Sequence, residues 1–324
     1  MLLPAVILIC IVAYTLHQII VPGTTESDSF VLLSSWGDID MPMWLNHLFS
    51  LATYILSVYL LVELNNRADI LRVRKTVLIA AFFLFYVFCP ELYTFTLTKL
   101  SLVAMLLSLF FLFNSYQCRN SSNYLFHSFS ILSIGSIFFP QLIYFVPIWF
   151  IGSSMLQSLN SRSFFAAIIG FTLPYWFLLS YAFYVDNINI FFAPFAEIAR
   201  FGGINIFAEI DIHNILSLGL FLLIYIISFS HCLATDYDNK IQTRVTLHFI
   251  IFLNICLFVF AIIQPMYEVQ LLNLILPGFT LMVCYFFNRS RSSFTYYIFL
   301  AMLLLLFITF VLKLVPFATL ASLF

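Results

Sequence analysis

Two acidic residues in the stretch "WGDIDMP", Trp36 to Pro42, have the types and spacing of a catalytic pair. Asp38 and Asp40 are separated by a single residue, so in an extended loop both carboxylates point to the same side of the chain. Two such carboxylates can hold a divalent cation, which neutralises a phosphate group of a substrate. The pair therefore indicates chemistry on a phosphorylated compound. The alternative interpretation is a solvated loop whose acids only keep it outside the hydrocarbon.

Arg200 is a second candidate, in the segment 186–214, where Phe and Ile are interspersed with charged residues. This composition predicts an amphipathic external segment that lies in the membrane interface. A guanidinium can hold a lipid phosphate through two parallel hydrogen bonds, as a transferase acting on a lipid carrier requires. An ion pair with Glu197, three residues earlier on the same helical face, is the alternative.

Glu91 is the ionisable residue that we expect nearest to membrane depth, because it follows Pro90 at the outer end of an apolar run. Ionisable residues within a membrane are candidates for function, since burying their charge is costly. At its predicted position Glu91 lies at the interface. Glu91, Asp38, Asp40 and Arg200 form the set of candidate catalytic residues.

The remainder of the sequence carries no cofactor or metal motif that we recognise. Its six cysteines lack a CxxC spacing, and its six histidines are scattered. No P-loop, GxSxG or HExxH pattern occurs. We therefore expect no cofactor, and a divalent cation only if Asp38 and Asp40 belong to a transferase. A net charge of −1 without a large basic cluster argues against nucleic acid as a partner.

The composition indicates whether the chain is surrounded by water or by lipid. Hydrophobic residues make up 63% of the 324 residues, charged residues make up 8%, and the mean hydropathy is +1.08. Such a chain cannot cover a water-exposed globule with polar groups, so its partner is the lipid bilayer. The runs are apolar on all sides, which favours helices over a β-barrel. We predict an all-α fold, a polytopic transmembrane helical bundle that forms a single transmembrane domain over residues 1–324.

Apolar runs of roughly 20 residues, the length that spans the hydrocarbon, predict about 11 crossings. The predicted crossings are 2–20, 45–64, 77–95, 97–116, 125–139, 142–156, 164–185, 215–233, 247–263, 271–287 and 294–316. The short pair 125–139 and 142–156 can instead form one re-entrant hairpin, which lowers the count to about 9. The first segment lacks a basic start and a clear cleavage site, so we expect it to be retained.

The distribution of basic residues predicts the orientation. With a cytoplasmic N-terminus, ten Lys and Arg lie on the cytoplasmic side and three lie outside, which together make the thirteen of the chain. The three outside are Lys99, Arg200 and Lys313. The positive-inside rule therefore favours a cytoplasmic N-terminus and places Asp38 and Asp40 in the first external loop.

Two similar stretches predict an internal repeat. "FCPELYTF" (residues 88–95) and "FFPQLIYF" (residues 138–145) share the pattern F-x-P-[EQ]-L-x-x-F, and each lies at the outer end of an apolar run. The pattern predicts two related helical hairpins, 77–116 and 125–157, with their prolines at the same depth. Proline breaks a helix, and the adjacent Glu or Gln can bond the backbone groups that it frees. The alternative is that common membrane residues occur twice.

The acidic pair in the first external loop, after a cytoplasmic N-terminal helix and with eight or more crossings, resembles the GT-C superfamily of membrane-embedded glycosyltransferases. The resemblance implies transfer from polyprenyl-phosphate-linked sugars at the outer face, with Asp38 and Asp40 at the cation. The chain departs from that superfamily in having a shorter first loop and no soluble acceptor-binding domain.

Three apolar stretches resemble an uncharacterised family of multi-pass membrane proteins from the Bacteroidota. They are "LNNRADILRVRKTVLIAAFFLF", "SILSIGSIFFPQLIYFVPIWFIG" together with "SRSFFAAIIGFTLPYWF", and "LLNLILPGFTLMVCYFF" before a short basic loop. The resemblance covers most of the chain. It implies a location in the inner membrane of a Gram-negative envelope, and it implies no catalytic activity.

Three classes of function follow, in order of preference. The first is a non-enzymatic integral inner-membrane protein of cell-envelope assembly, with other membrane proteins as partners. The second is a transferase or polymerase that takes a lipid-linked substrate through Asp38, Asp40 and Arg200. The third is a transporter, which needs polar groups at mid-membrane. The isolated residues of this kind are Asn254, Asn273, Gly170 and Pro174.

Overall fold

The computed structural model describes residues 43–68, 75–89, 92, 96–198, 212–235, 239–289, 297, 301–302 and 304–310. Within these ranges the chain is helical and contains no strand, which confirms the all-α prediction. The predicted crossing 2–20 lies outside the described residues, as does the greater part of 294–316.

Residues 301–302 and 304–310 are helical. Ten α-helices and two 3₁₀ turns with described bounds precede them. They are α1 (Met43–Ala68), α2 (Lys75–Val87), α3 (Lys99–Asn114), α4 (Ser121–Phe138), the first 3₁₀ turn (Pro140–Phe145), α5 (Val146–Met155), α6 (Ser161–Tyr184), α7 (Asn189–Ile198), α8 (Ile212–Thr235), α9 (Ile241–Ile263), the second 3₁₀ turn (Pro265–Tyr267) and α10 (Glu268–Arg289).

Five helical segments are long and apolar enough to cross a membrane. They are Leu48–Arg67, Ser161–Tyr184, Leu216–Thr235, Ile241–Ile263 and Pro265–Arg289. The chain is therefore a helical membrane protein, as its composition predicts. Other predicted crossings correspond to shorter apolar helices such as α2 and α3.

The hairpin formed by the predicted pair 125–139 and 142–156 has two unlike arms. The first arm, α4, has 18 residues, which at 1.5 Å per residue gives about 27 Å. Pro140 then starts the first 3₁₀ turn, which leads into the ten residues of α5. Beyond α5, Gln157 accepts a hydrogen bond from the side chain of Gln117 at 2.9 Å. The second arm therefore returns to the end of the bundle at which α4 begins.

The helix α10 forms the centre of the bundle. Of the most apolar window in Pro265–Arg289, 83% is buried, against 28% in Ser161–Tyr184. Helix α10 packs against α9, α8 and α2, whereas α6 packs mainly against α4. A helix that is apolar all round belongs in the core, and the exposed apolar face of α6 suits contact with lipid.

Small residues allow α3 and α4 to approach closely. The hydroxyls of Ser108 and Ser128 each donate to the backbone carbonyl of the other residue, at 2.8 and 2.9 Å. The indole Nε1 of the buried Trp149 donates to Ser108 Oγ at 2.7 Å, which ties α5 to the same contact. Hydroxyl bonds between closely packed helices are typical of membrane bundles.

The bundle has two ends of different character. We call first end the one at which α1, α3, both 3₁₀ turns and α10 begin, and second end the opposite one. Among the described residues, seven basic residues lie near helix termini of the second end, and only Lys99 lies at the first. The seven are Arg67, Lys75, Arg119, Arg162, Lys240, Arg244 and Arg289.

The contact between α4 and α6 predicts the effect of a methyl group at Gly170. A Cβ at this position would lie 2.5 Å from the backbone oxygen of Phe126, which belongs to a helix and cannot turn aside. We expect Gly170→Ala to lower the free energy of unfolding by about 1–3 kcal/mol. Thermal unfolding of the purified protein measures the change.

Gly219→Ala is the matched control, since a Cβ built there has no atom within 4 Å apart from its chain neighbours and the backbone of its own helix. Alanine is the better helix former by about 1 kcal/mol, so this variant should be as stable as the wild type or more stable. Equal destabilisation by both changes would contradict the close contact between α4 and α6.

Candidate functional site

Lys99 is a buried cation at the first end. It is the first residue of α3, at the start of an otherwise apolar helix, and its side chain is 3% exposed. Its ammonium donates to Ser50 Oγ at 2.6 Å and to the backbone carbonyl of Leu92. The same nitrogen lies 5.0 Å from the centroid of the Tyr54 ring, in position for a cation–π contact.

Tyr54 extends this cluster from α1 into the central helix. Its hydroxyl donates to Asn273 Oδ1 at 2.6 Å, and both residues are buried. Its ring packs on Tyr86 of α2, with centroids 4.1 Å apart. Lys99, Ser50, Tyr54 and Asn273, which we call the Lys99 cluster, therefore join three helices that are distant in sequence.

In the part of the chain that the structure describes, no acidic side chain balances the charge of Lys99. Among the described residues, its partners are a hydroxyl, a carbonyl and an aromatic ring, and no carboxylate contacts it. Burying an ion costs several kcal/mol unless an opposite charge compensates for it. A buried ionisable residue in a membrane protein is therefore a candidate functional group, and a cation in this setting suits an anion.

The position of Lys99 on α3 adds to the attraction for an anion. The backbone N–H groups of a helix N-terminus carry a partial positive charge, which adds to that of an ammonium on the first residue. The cluster can thus hold a phosphate or carboxylate group. Its Ser50 hydroxyl and Lys99 ammonium lie 2.6 Å apart and both residues are buried, and the charge of the ammonium suits the binding of an anion.

The four residues predicted from the sequence, Asp38, Asp40, Glu91 and Arg200, all lie outside the described residues. Pro90 does as well, so the predicted repeat stays a prediction. Three of the four adjoin described parts of the first end: Asp40 precedes α1, Glu91 precedes Leu92, and Arg200 follows α7.

Glu197, the alternative partner of Arg200, accepts a hydrogen bond from Tyr267 Oη at 2.6 Å. This bond links α7 to the second 3₁₀ turn. A second bond, from Tyr144 Oη to the carbonyl of Ile198 at 2.9 Å, links α7 to the first 3₁₀ turn. Part of the predicted interfacial segment 186–214 is therefore a helix that packs on the first end.

The Lys99 cluster has one signal in the sequence, which was not recognised as a sign of a functional site. Lys99 is the single charged residue within the predicted crossing 97–116. We counted it as an external basic residue and did not consider its burial. The partners of Lys99 carry no signal of their own, because serine, tyrosine and asparagine are common in membrane helices.

The isolated polar residues considered for a transporter make packing contacts. Asn254 donates to the carbonyl of Ile250 at 3.0 Å and lies against Gly278, where a Cβ would come within 1.8 Å of its amide nitrogen. Asn273 belongs to the Lys99 cluster, and Gly170 lies against Phe126. Asn254, Asn273 and Gly170 thus each make a separate contact.

Within the described ranges, no three His, Cys, Asp or Glu side chains come together as a metal site requires. Comparison of the chain with models of protein families, with curated proteins and with solved structures finds no match. The assignment of a function therefore rests on the residues themselves.

Two substitutions of Lys99 distinguish the effect of its charge on stability from the effect of its volume. Lys99→Ala leaves a cavity and removes the donor to Ser50 and Leu92, so we expect a loss of about 2–4 kcal/mol in the free energy of unfolding. Lys99→Met keeps most of the volume and removes the uncompensated charge. We expect this variant to unfold at or above the wild-type temperature.

Chemical or thermal unfolding of both variants in the same detergent measures the difference. If Lys99→Met is as unstable as Lys99→Ala, the charge serves the fold and not the binding of an anion.

Proposed function

We propose that the chain is an integral protein of the bacterial inner membrane whose first end binds the anionic headgroup of a lipid during cell-envelope assembly, without catalysing a reaction. The observation that carries this proposal is the buried ammonium of Lys99, which no carboxylate balances in the described part of the chain. A phosphate group would supply the missing negative charge.

The proposal includes an orientation. The seven basic residues near helix termini of the second end favour a cytoplasmic position for that end, by the positive-inside rule. The first end then lies at the outer face of the inner membrane, and the predicted crossing 2–20 before α1 puts the N-terminus on the cytoplasmic side. The lipid bilayer, a lipid-linked substrate and other membrane proteins are the proposed partners.

A lipid is the proposed source of the anion because Lys99 begins a helix at one end of a membrane bundle, where headgroups lie. An ammonium has three donors. Two of them reach Ser50 and Leu92, and the third remains for a ligand oxygen. Because Lys99 is 3% exposed, binding requires that the residues around its ammonium move apart.

Native mass spectrometry of the purified protein tests this binding. We expect the wild type to retain a phosphate-bearing lipid, and we expect Lys99→Met to retain roughly tenfold to a hundredfold less, the effect of losing a charge-assisted hydrogen bond. Alkyl phosphate and phosphatidylglycerol are suitable probes, with phosphatidylcholine as the lipid of zero net charge.

Lys75→Met is the matched control, because Lys75 also begins a helix but is exposed and lies at the second end. Its retention of lipid should equal that of the wild type. Equal retention by Lys99→Met would overturn the proposal.

A GT-C-like transferase is the second candidate function, and the observation that favours it is the cation of Lys99 at the end where Asp38 and Asp40 precede α1. In this case the acid pair handles the reacting phosphate with a divalent cation, and Lys99 holds the carrier.

The double change Asp38→Ala and Asp40→Ala discriminates between the two functions. A transferase loses its activity, which appears as altered surface glycans and accumulated lipid-linked precursors, while lipid retention by Lys99 persists. Unaltered glycans and precursors would leave binding without catalysis as the function.

A further inference from the structure

Two glutamines at the first end are buried without any hydrogen-bond partner for their side chains in the described part of the chain. Gln141 is 0% exposed and Gln264 is 2% exposed. In each of them both the amide nitrogen and the amide oxygen lack a partner. Buried carboxamides are nearly always bonded, because the loss of their bonds to water is costly. Two such exceptions at one end of the bundle mark a place where a ligand can supply hydrogen bonds to the carboxamides.

The two glutamines flank one aromatic contact. Gln141 lies two residues after Phe139, and the backbone N–H of Tyr267 donates to the carbonyl of Gln264 at 3.2 Å. The rings of Phe139 and Tyr267 meet edge to face, with centroids 6.0 Å apart. Both glutamines adjoin a proline that starts a 3₁₀ turn. The segments that carry the two glutamines therefore meet at this aromatic contact.

Helix α7 covers this region and is well placed to admit a ligand from the membrane. It is held by the bonds from Tyr267 to Glu197 and from Tyr144 to Ile198. Its other face exposes Phe192 and Phe195, at 55% and 42%. An amphipathic helix with exposed rings suits the boundary between headgroups and acyl chains.

The chemistry of the site selects its ligand. A carboxamide both donates and accepts, as a hydroxyl does, whereas a phosphate only accepts and an ammonium only donates. Glu197 nearby adds a carboxylate, which disfavours an anion. The rings of Phe139 and Tyr267 offer apolar surface to the carbon skeleton of a ligand.

We propose that Gln141 and Gln264 bind the hydroxyl groups of an uncharged sugar headgroup of a lipid, under the cover of α7. This site differs from the Lys99 cluster and needs no charge, so it stands whether or not Lys99 binds an anion.

Thermal unfolding in nanodiscs tests the site. Phosphatidylcholine nanodiscs contain either glucosyl-diacylglycerol or diacylglycerol without the sugar. We expect the sugar lipid to raise the unfolding temperature of the wild type, because a ligand that binds only the folded state stabilises it. If the wild type unfolds at the same temperature with either lipid, the proposal is overturned. This comparison requires no variant.

The double variant Gln141→Leu and Gln264→Leu should need at least roughly tenfold more sugar lipid for the same shift, since each lost hydrogen bond weakens binding. The control is Gln117→Leu and Gln157→Leu, an amide pair at the second end that is bonded at 2.9 Å. It should respond to the sugar lipid as the wild type does. An undiminished response in the first double variant would overturn the proposal.

Two further measurements show whether the sugar must be attached to a lipid and whether the glutamine site and the Lys99 cluster bind independently. A shift with free glucose but none with the sugar lipid would overturn the assignment to a lipid. Lys99→Met should keep the response to the sugar lipid, and the glutamine variant should keep its retention of phosphate-bearing lipid. Loss of the sugar response in Lys99→Met would overturn the separation of the two sites.

Discussion

The burial of one cation at the first end is the constraint on which the described polar architecture depends. Lys99 starts α3 inside the bundle, where an ammonium must exchange its water for fixed acceptors. Ser50, the carbonyl of Leu92 and the ring of Tyr54 take this role. The hydroxyl of Tyr54 then requires its own partner in the low-dielectric interior, and Asn273 supplies it from the central helix.

The first end also has polar interactions outside the Lys99 cluster, on α7 and the two 3₁₀ turns. Helix α7 is attached to both 3₁₀ turns through tyrosine hydroxyls. Next to the proline of each turn lies a buried glutamine whose side chain has no hydrogen-bond partner in the described part of the chain. Prolines begin both turns. At a 3₁₀ turn, backbone and side-chain groups lack the regular contacts that a continuous α-helix would give them. The first end is thus where regular helices give way to irregular backbone, which in membrane proteins is found where the protein or a cavity shields it.

The sequence alone is sufficient to predict helices, their solvent and most of their positions, because apolar runs of membrane-spanning length are a strong local signal. The Lys99 cluster has no such signal. Its bonds join residues 49 and 219 positions apart, and they arise from packing that no local pattern encodes. The different lengths of the two arms of the hairpin formed by α4 and α5 could not be predicted from the sequence either. A proline such as Pro140 can end a helix, start a 3₁₀ turn or kink a membrane-spanning helix. Asp38 and Asp40 stay a prediction.

The most direct test of the account is an experimental structure of the protein in nanodiscs made from bacterial lipids, at a resolution that shows bound headgroups. If Lys99 binds the headgroup of a lipid, density for a phosphate group lies within hydrogen-bond distance of its ammonium. Density for the protein alone around Lys99, with the ammonium bonded only to Ser50 and Leu92, would contradict it.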